Sequence, residues 1–405
     1  MTKDILLVAH FFGDLGNSGN NRFSYIANML SESQHNIEVV TSDFSHNRKK
    51  KKEILKESLN YKIKYIEEPR YLKNVSLNRF KSHFLMGRRL RKYLQSRKKP
   101  DLIYCAVPSL DVAMVVAKYA KKHEIHFVLD IQDLWPEAFE MIFNVPILKK
   151  MFFTPMKIRA NFIYKAADEI IAVSNTYAER ALEVNRKSNS AYCVYLGTEL
   201  KSFDMLAEKN RIINKPENEF WLVYVGTLGH SYDLTCVIDA LSILKQQGIG
   251  NIKFIVLGDG PLKHRFEAYA KEKRISADFL GRLSYGAMIG ILIECDIAVN
   301  PISPRAAQSI INKHGDYAAA GLPVLNTQES LEYKNLVDEY KMGINCNNND
   351  PVDLAAKLKE LYENDESRKA MGLNSRRLAE EKFDRAQTYP LILEVINGKL
   401  GLISK

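Results

Sequence analysis

The fold is decided by residues 309–324, which read SIINKHGDYAAAGLPV. An alanine-rich helix is closed here by Gly321 and by Pro323, and it runs directly into an apolar strand at 322–327. Lys313 and Asp316 are three residues apart, so both lie on one face near the start of this helix. A lysine in that place can meet a phosphate, and the carboxylate can accept the hydroxyl groups of a ribose. A surface ion pair between the two is the ordinary alternative.

The alternation of helix and buried strand extends outward from this stretch in both directions. Apolar runs recur in the second half at 220–226, 254–258, 277–281, 296–302 and 343–347, and in the first half at 4–12, 36–40, 61–66, 101–107, 126–131, 169–174 and 191–197. Runs that are apolar almost throughout are typical of parallel strands covered on both faces. The sequence therefore predicts an α/β protein with two Rossmann-like domains facing one another across a deep cleft.

The domain boundaries follow from composition and length. At 405 residues the chain exceeds a single typical domain. We predict an N-terminal domain over 1–199, a polar linker over 200–218, a C-terminal domain over 219–383 and a final helix over 384–405 that returns to the first domain.

Composition excludes several classes of protein. Apolar residues make up 46% of the chain and charged residues 26%, which are the proportions of a globular protein. The five cysteines never form a C-x-x-C pair, which excludes a disulfide scaffold and a cysteine zinc site. No run is long enough for a membrane span, and we expect a cytoplasmic protein. Neither clustered histidines nor D-x-D motifs occur, so we expect no metal and no cofactor.

Positive charge is concentrated between residues 48 and 99, where 19 Lys and Arg stand against 4 Asp and Glu. A helix in this window interleaves apolar residues (Phe80, Phe84, Leu85, Met86, Leu90 and Leu94) with cations, of which we expect Arg88, Arg89, Arg91 and Lys92 to contact an anionic membrane surface. Residues 149–159 form a second segment of this kind. The alternative is a solvated, charged face. Nucleic acid would attract the same charge, but no binding motif accompanies it, and none is expected as a partner.

Three glycine-containing turns follow predicted strands and open predicted helices. They contain Gly16 and Gly19, Gly229, and Gly258 with Lys263 shortly after it. Glycine lets a backbone approach a ligand closely, and helix N-termini favour anions. The spacing of the first turn is not G-x-G-x-x-G, which argues against a nicotinamide dinucleotide. These turns are therefore candidates for contact with a diphosphate, although each is also an ordinary strand-to-helix turn.

Several of these motifs together resemble one family. DYAAAGLPVL resembles the signature of retaining glycosyltransferases of the GT-B fold, in particular glycosyltransferase family 4, and YVGTLG, FIVLGDGPL and FLGRLS precede it in the expected order. DLWPE at 133–137 is similar to the branch that builds capsule, O-antigen and exopolysaccharide. The resemblance implies a nucleotide-sugar donor on the second domain and an acceptor on the first.

The resemblance also implies roles for individual residues. The two acids of the family's E-x7-E pattern fall on Gln308 and Asp316, and Thr227 and Tyr232 stand where the family often carries Arg and Lys. Phosphate charge must then be met by Lys313, Lys263 or Arg282 together with backbone N–H groups. The donor-binding set is Gly16, Gly19, Gly229, His230, Gly258, Lys263, Arg282, Gln308, Asn312 and Asp316. We assign catalysis to Asp133 and Lys313, and contacts to the acceptor or the sugar to Asp130 and Glu137.

We therefore expect an enzyme that moves a sugar from a UDP-linked donor to a polyprenyl-diphosphate-linked saccharide, with retention at the anomeric carbon, at the inner face of a bacterial cell membrane. Two alternatives stay open. A nucleotide-sugar 2-epimerase shares the fold but needs no lipid surface. A non-catalytic basic module that binds membrane or nucleic acid is kept open by the neutral Gln308.

Overall fold

A computed structural model describes residues 2–13, 21–46, 48–52, 59–73, 76–140, 146–211, 215–304 and 309–401. The chain divides into two compact units. The first comprises residues up to 195 together with the C-terminal segment from 389, and the second comprises 196–388.

The first unit is built around a parallel sheet. Its elements are β1 Asp4–Val8, α1 Arg22–Glu32, β2 Asn36–Ser42, β3 Phe44–Ser45, β4 Lys50–Lys51, β5 Lys62–Ile66, α2 Leu77–Ser96, β6 Leu102–Val107, α3 Leu110–His123, β7 His126–Ile131, α4 Glu137–Glu140, α5 Pro146–Ala166, β8 Glu169–Ala172, α6 Asn175–Leu182 and β9 Tyr192–Cys193. Seven strands form the sheet in the order β5, β2, β1, β6, β7, β8, β9, while β3 and β4 form a small antiparallel hairpin. Every residue of β6 is buried, because helices cover both faces of the central strands.

The second unit repeats this architecture. Its elements are α7 Leu200–Asn210, β10 Phe220–Val225, α8 Leu234–Gln246, β11 Ile252–Leu257, α9 Lys263–Glu272, β12 Ala277–Gly281, α10 Tyr285–Leu292, β13 Ile297–Asn300, α11 Asn312–Ala319, β14 Val324–Asn326, α12 Leu331–Tyr340, β15 Gly343–Asn345, α13 Pro351–Glu363, α14 Asp365–Leu378, a π-helical turn Ala379–Phe383 and α15 Arg385–Thr388. Six parallel strands lie in the order β12, β11, β10, β13, β14, β15. The predicted α/β fold with two parallel-sheet domains is confirmed.

The C-terminal helix α16 Pro390–Lys399 packs on the first unit. Tyr389, Ile392 and Ile396 are fully buried in the core that also contains β1 and β2. At the centre of this contact, Arg22 donates to the hydroxyl of Tyr389 at 3.0 Å. The return of the chain is thus held by apolar burial, by this buried hydrogen bond and by polar contacts of Asn397 with His35 and of Lys399 with Glu169.

The first part of the predicted linker is helical. Residues 200–210 form helix α7, and this helix packs against α10 in the second unit. Leu200 and Phe203 supply its buried side. Two apolar contacts are enough to hold a helix whose other residues are polar, and for that reason composition alone suggested a linker.

Candidate functional site

The C-terminal edge of the second sheet brings two glycine turns and one helix start together. Gly226 follows β10 and Gly258 follows β11, with φ values of +148° and +155°. A Cβ atom on Gly258 would collide with the carbonyl oxygen of Gly226, so the two turns touch backbone to backbone. Helix α11 starts at this same edge because it lies between β13 and β14 in the chain. This edge is where ligands bind in open parallel sheets.

Lys313, the second residue of α11, lies under the Gly226 turn. Its side chain is buried, and its Nζ atom has no hydrogen-bond partner among the described residues. The Nζ atom lies 4.1 Å from the ring centroid of Tyr224 and 4.0 Å from that of Tyr232. The expected alternative, an ion pair with Asp316, does not form. Burial lowers the pKa of Lys313 well below its usual value.

Asp316, one turn further along α11, is held by two hydroxyl groups. Tyr285 donates to its Oδ1 atom at 2.7 Å and Thr198 donates to the same atom at 3.2 Å. Burial, followed by the charge of Asp316, raises the pKa of Tyr285, so the phenol stays protonated as a donor. The carboxylate is therefore fixed in orientation and only slightly exposed.

A buried polar network supports the start of α11, and the sequence reasoning missed it. The Nδ2 atom of Asn300 lies 2.9 Å from Oδ1 of Asn326 and 3.1 Å from Nε2 of His314, whose ring stacks on Tyr333. Asn300 and Asn326 are the last residues of β13 and β14. Asparagine as the last residue of an otherwise apolar strand is the signal that could have revealed the network.

The other residues of the second unit that we predicted to bind the nucleotide-sugar donor lie around this edge with fewer fixed contacts. Gly229, His230 and Asn312 follow the Gly226 turn or open α11, and His230 and Asn312 are exposed. The Nζ atom of Lys263 lies 3.7 Å from a carboxylate oxygen of Glu267. It also lies next to Gly281, where an added Cβ atom would be 3.5 Å away. Arg282 is exposed. Gly16, Gly19 and Gln308 lie outside the described residues.

In the first unit, Asp133 follows β7 and has a strongly perturbed carboxyl group. Its Oδ1 atom accepts from the backbone N–H of Leu134 at 3.0 Å, and its Oδ2 atom accepts from the indole N–H of Trp135 at 3.3 Å. Burial raises the pKa of Asp133 to about 6, although these hydrogen bonds and the charge of Arg79 act in the opposite direction. A carboxyl group that titrates near neutrality is a common feature of functional sites.

Asp130 and Glu137, the expected acceptor contacts, are engaged by internal partners. Asp130 is fully buried and accepts from Arg22 at 2.9 Å and from Tyr104 at 2.7 Å. Glu137 accepts from Arg180 at 2.7 Å. The structure therefore gives Asp130 a structural role, because contact with an acceptor would require breaking a buried ion pair.

One group of side chains has the composition of a metal site. Ligand atoms of His10, Glu68 and His83 lie within 4.8 Å of one another, and all three residues are buried. Glu68 already accepts from His10 at 2.8 Å and from Ser82 at 2.6 Å. The guanidinium of Arg79 lies 3.5 Å from Nε2 of His83, and its charge opposes that of a metal ion. The group is therefore better described as a hydrogen-bonded network.

Helix α2 exposes three of the four predicted cations and buries three of the six predicted apolar residues. Arg88, Arg91 and Lys92 are exposed, while Arg89 donates to the backbone oxygen of Glu67 at 2.6 Å. Met86, Leu90 and Leu94, which we expected at a membrane surface, are core residues because α2 packs on α3. The exposed apolar residues of this helix are instead Leu77 and Phe84.

In the second basic segment, Phe153 is buried and Ile158 is 64% exposed, while the side chains of residues 149–152 lie outside the described residues. No helix in the described part of the chain combines the length and the apolar character needed to cross a bilayer.

Comparison with known proteins assigns both halves of the chain. The model "Glycosyltransferase Family 4" matches residues 20–201, and the model "Glycosyl transferases group 1" matches residues 207–378. An uncharacterized glycosyltransferase of Methanocaldococcus jannaschii is 27% identical over 229 residues, which are 55% of this chain and 59% of that relative.

Solved structures show the same fold at low identity. Sucrose-phosphate synthase from Thermosynechococcus elongatus gives a TM-score of 0.79 at 14% identity, covering 99% of this chain and 100% of that one. Anabaena HepE in complex with UDP gives 0.70 at 13% identity, covering 98% and 100%. WaaG, a glycosyltransferase involved in lipopolysaccharide biosynthesis, gives 0.68 at 15% identity, covering 97% and 100%. The chain therefore has the GT-B fold, and its two halves match the models of Glycosyltransferase Family 4 and of glycosyl transferases group 1.

Proposed function

We propose that this protein is a glycosyltransferase that moves a sugar from a UDP-linked donor to a hydroxyl group of a polyprenyl-diphosphate-linked saccharide, with retention at the anomeric carbon. The observation that carries the proposal is the edge formed by the Gly226 and Gly258 turns and the start of α11, within a domain of the glycosyl transferases group 1 type. A buried lysine and a fixed carboxylate stand on that one helix, as binding of a nucleotide diphosphate requires.

Different residues of this edge bind different parts of the nucleotide-sugar donor. The backbone N–H groups at the start of α11, together with Lys313, meet the diphosphate, because both bring positive charge to the same place. Asp316 accepts the ribose hydroxyls with the oxygen orientation that Tyr285 and Thr198 impose. As the glycosidic bond breaks, negative charge grows on the leaving diphosphate, and the same groups stabilise it. No residue of the chain is assigned as a nucleophile.

The structural neighbours support the choice of donor and the biological setting. HepE was solved with UDP, with UDP and glucose, and with UDP-glucose. WaaG acts in lipopolysaccharide biosynthesis. A UDP-sugar donor and a surface saccharide acceptor are therefore the first choices to test for this chain.

Asp133 is proposed to contact the acceptor or the transferred sugar. Its carboxyl group accepts two hydrogen bonds, and its pKa is raised all the same. The fold therefore retains an ionisable group at a position where burial makes ionisation costly. A function that uses the carboxyl group would explain why it is kept in this place.

A peripheral position on the inner face of the cell membrane is proposed from the exposed side of α2. Leu77 and Phe84 are seven residues apart, and Arg88 and Arg91 continue the same side of the helix, so this stripe offers two apolar side chains flanked by cations. Each cation near an anionic bilayer contributes about 1 kcal/mol. A lipid-linked acceptor would explain why such a surface is present.

One incubation tests the proposal against its alternatives. The protein is mixed with UDP-sugars and a short polyprenyl-diphosphate-linked saccharide, and the products are analysed by mass spectrometry. A lengthened acceptor supports a glycosyltransferase, and NMR of the new linkage reports whether configuration is retained. An isomerised donor would indicate an epimerase. Unchanged donor and acceptor, across a panel of UDP-sugars, would favour a non-catalytic module.

A further inference from the structure

The side-chain amine of Lys313 is a buried polar group that the described residues of the second unit do not compensate. The side chain is 6% exposed, and Nζ has no hydrogen-bond partner there. Buried lysines are ordinarily paired with a carboxylate, because burying an isolated charge is costly. Here the nearby carboxylate, Asp316, is turned to Tyr285 and Thr198 instead.

Among the described residues, Lys313 is faced by two aromatic rings and not by a carboxylate. Tyr224 faces it from β10 and Tyr232 from the loop that follows β10, and both rings lie about as close as cation–π contacts allow. These contacts favour the charged form, whereas burial removes nearly all water from the amine and lowers its pKa well below the usual value. On its own helix, burial is the larger cause that lowers the pKa of His314 well below its usual value, so this ring adds no negative charge beside the amine.

The amine of Lys313 lies where the diphosphate of a bound nucleotide sugar is proposed to sit. A Cβ atom on Gly226 would lie 3.1 Å from Nζ of Lys313 and 2.9 Å from the hydroxyl oxygen of Tyr224. The amine is therefore directly under the turn that we assign to the diphosphate, at the start of an eight-residue helix. A diphosphate at this edge would supply the negative charge that the described surroundings do not.

We propose that Lys313 rests uncharged between Tyr224 and Tyr232 and takes up a proton from solvent when the diphosphate of a nucleotide sugar binds. This inference rests on the function proposed above and makes donor binding a proton-coupled step. The amine gains one proton, the buffer loses one, and the resulting ammonium pairs with the diphosphate. The charge that stabilises the leaving group would then be created only in the occupied site.

The resting state can be tested without any ligand. In protein labelled with carbon-13 lysine, the Cε chemical shift reports the charge of each amine, and the spectrum of Lys313→Arg assigns the resonance of Lys313. We expect an uncharged shift at about pH 8, far below the usual lysine pKa. A charged shift under these conditions overturns the inference, while UDP binding and the proposed function would stand.

The coupling is tested by calorimetry with UDP-glucose and with UDP, at about pH 8, where the terminal phosphate of UDP is already ionised. Titrations in two buffers of different ionisation enthalpy give the number of protons taken up. We expect about one proton per bound nucleotide in the parent protein. Lys313→Met and Lys313→Arg should take up none, since Met cannot ionise and Arg is always charged. Lys271→Met, which removes an exposed lysine of α9, should behave like the parent.

Tyr232→Ser provides an independent check because it opens one wall of the site to water. A hydrated amine is already charged, so proton uptake should fall toward zero while the nucleotide still binds. Uptake that is equal in the parent and in Lys313→Arg would overturn the inference. If neither UDP nor UDP-glucose binds the parent protein, the proposed donor fails and the inference fails with it.

Discussion

Replacement of Asp316 by Asn tests the ribose contact with little disturbance of the fold. The Asn oxygen can still accept from Tyr285 and Thr198, which now hold Oδ1 of the carboxylate at 2.7 and 3.2 Å. What changes is the remaining position, where an amide donates and a carboxylate oxygen accepts. The variant therefore removes the capacity to accept ribose hydroxyls without leaving the two buried donors unpaired.

The expected loss of UDP affinity follows from the negative charge of the Asp316 carboxylate, which accepts the hydrogen bonds. Hydrogen bonds to a charged group contribute about 1.5 to 3 kcal/mol, so the loss of one should raise the Kd for UDP at least about tenfold. Turnover of the bound complex should change less, because the ribose contact is equally strong in the ground state and the transition state. Tyr285→Phe should act through the same carboxylate and give a smaller rise, because Thr198 still donates to it.

The assay is calorimetry with UDP and with 2′,3′-dideoxy-UDP on parent and variants of equal thermal stability. The penalty of Asp316→Asn should largely disappear with the dideoxy nucleotide, which has no hydroxyl for the carboxylate to accept. A folded variant that binds UDP as tightly as the parent would remove Asp316 from the site. An equal loss for both nucleotides would mean that Asp316 supports the site only through structure.

Further variants test the other assignments. Lys313→Ala should lower turnover at saturating donor by more than about tenfold and should lower donor affinity by a smaller factor. Initial rates within about twofold of the parent would mean that another cation contacts the phosphate. In urea unfolding, Asp130→Asn should cost about 3 kcal/mol or more, because it leaves Arg22 buried without its anion. Because the folded pKa of Asp133 is about 6, the parent should lose up to about 3 kcal/mol of stability as the pH rises from about 4 through 6, at 1.36 kcal/mol per pKa unit. Asp133→Asn, which cannot ionise, should not show this loss, although its amide faces one of the two donors that the carboxyl group accepts from. Replacing Arg88, Arg89, Arg91 and Lys92 by Ser should release the protein from anionic liposomes, at about 1 kcal/mol per cation. The same change at exposed Lys201, Lys209, Lys271 and Lys382 should not, and equal sedimentation of both variants would leave α2 as a solvated face.

Local sequence signals predicted the edge of the second sheet but not its internal contacts. Glycine, proline and the apolar runs fix where strands end and helices begin, so α11 and the turns at Gly226 and Gly258 could be located. The spacing of Lys313 and Asp316 also placed them on one helix correctly. Their separation into two environments depends on Tyr224, Tyr232 and Tyr285, which lie far away in sequence, so the spacing within α11 could not reveal it.

Helix α2 shows a different limit of sequence reasoning. Its helical character follows from periodicity, but cations occur on several sides, so the pattern does not say which apolar residues face the core. Packing on α3 decides this, and it buries Met86, Leu90 and Leu94 while leaving Leu77 and Phe84 exposed. A membrane surface argued from this helix must therefore rest on fewer apolar side chains than the sequence suggested.

The position of Tyr232 connects the departure from the family pattern to the chemistry of the site. The family resemblance implies a cation at this place in the loop after β10, and the ring that stands there instead lies 4.0 Å from Nζ of Lys313. A lysine at both positions would bring two ammonium groups together in a buried space, which Coulomb repulsion opposes. The aromatic ring is compatible with Lys313 in either charge state. Tyrosine at 232 and lysine at 313 therefore make sense as a pair, in which positive charge for the diphosphate is supplied from α11 rather than from the loop.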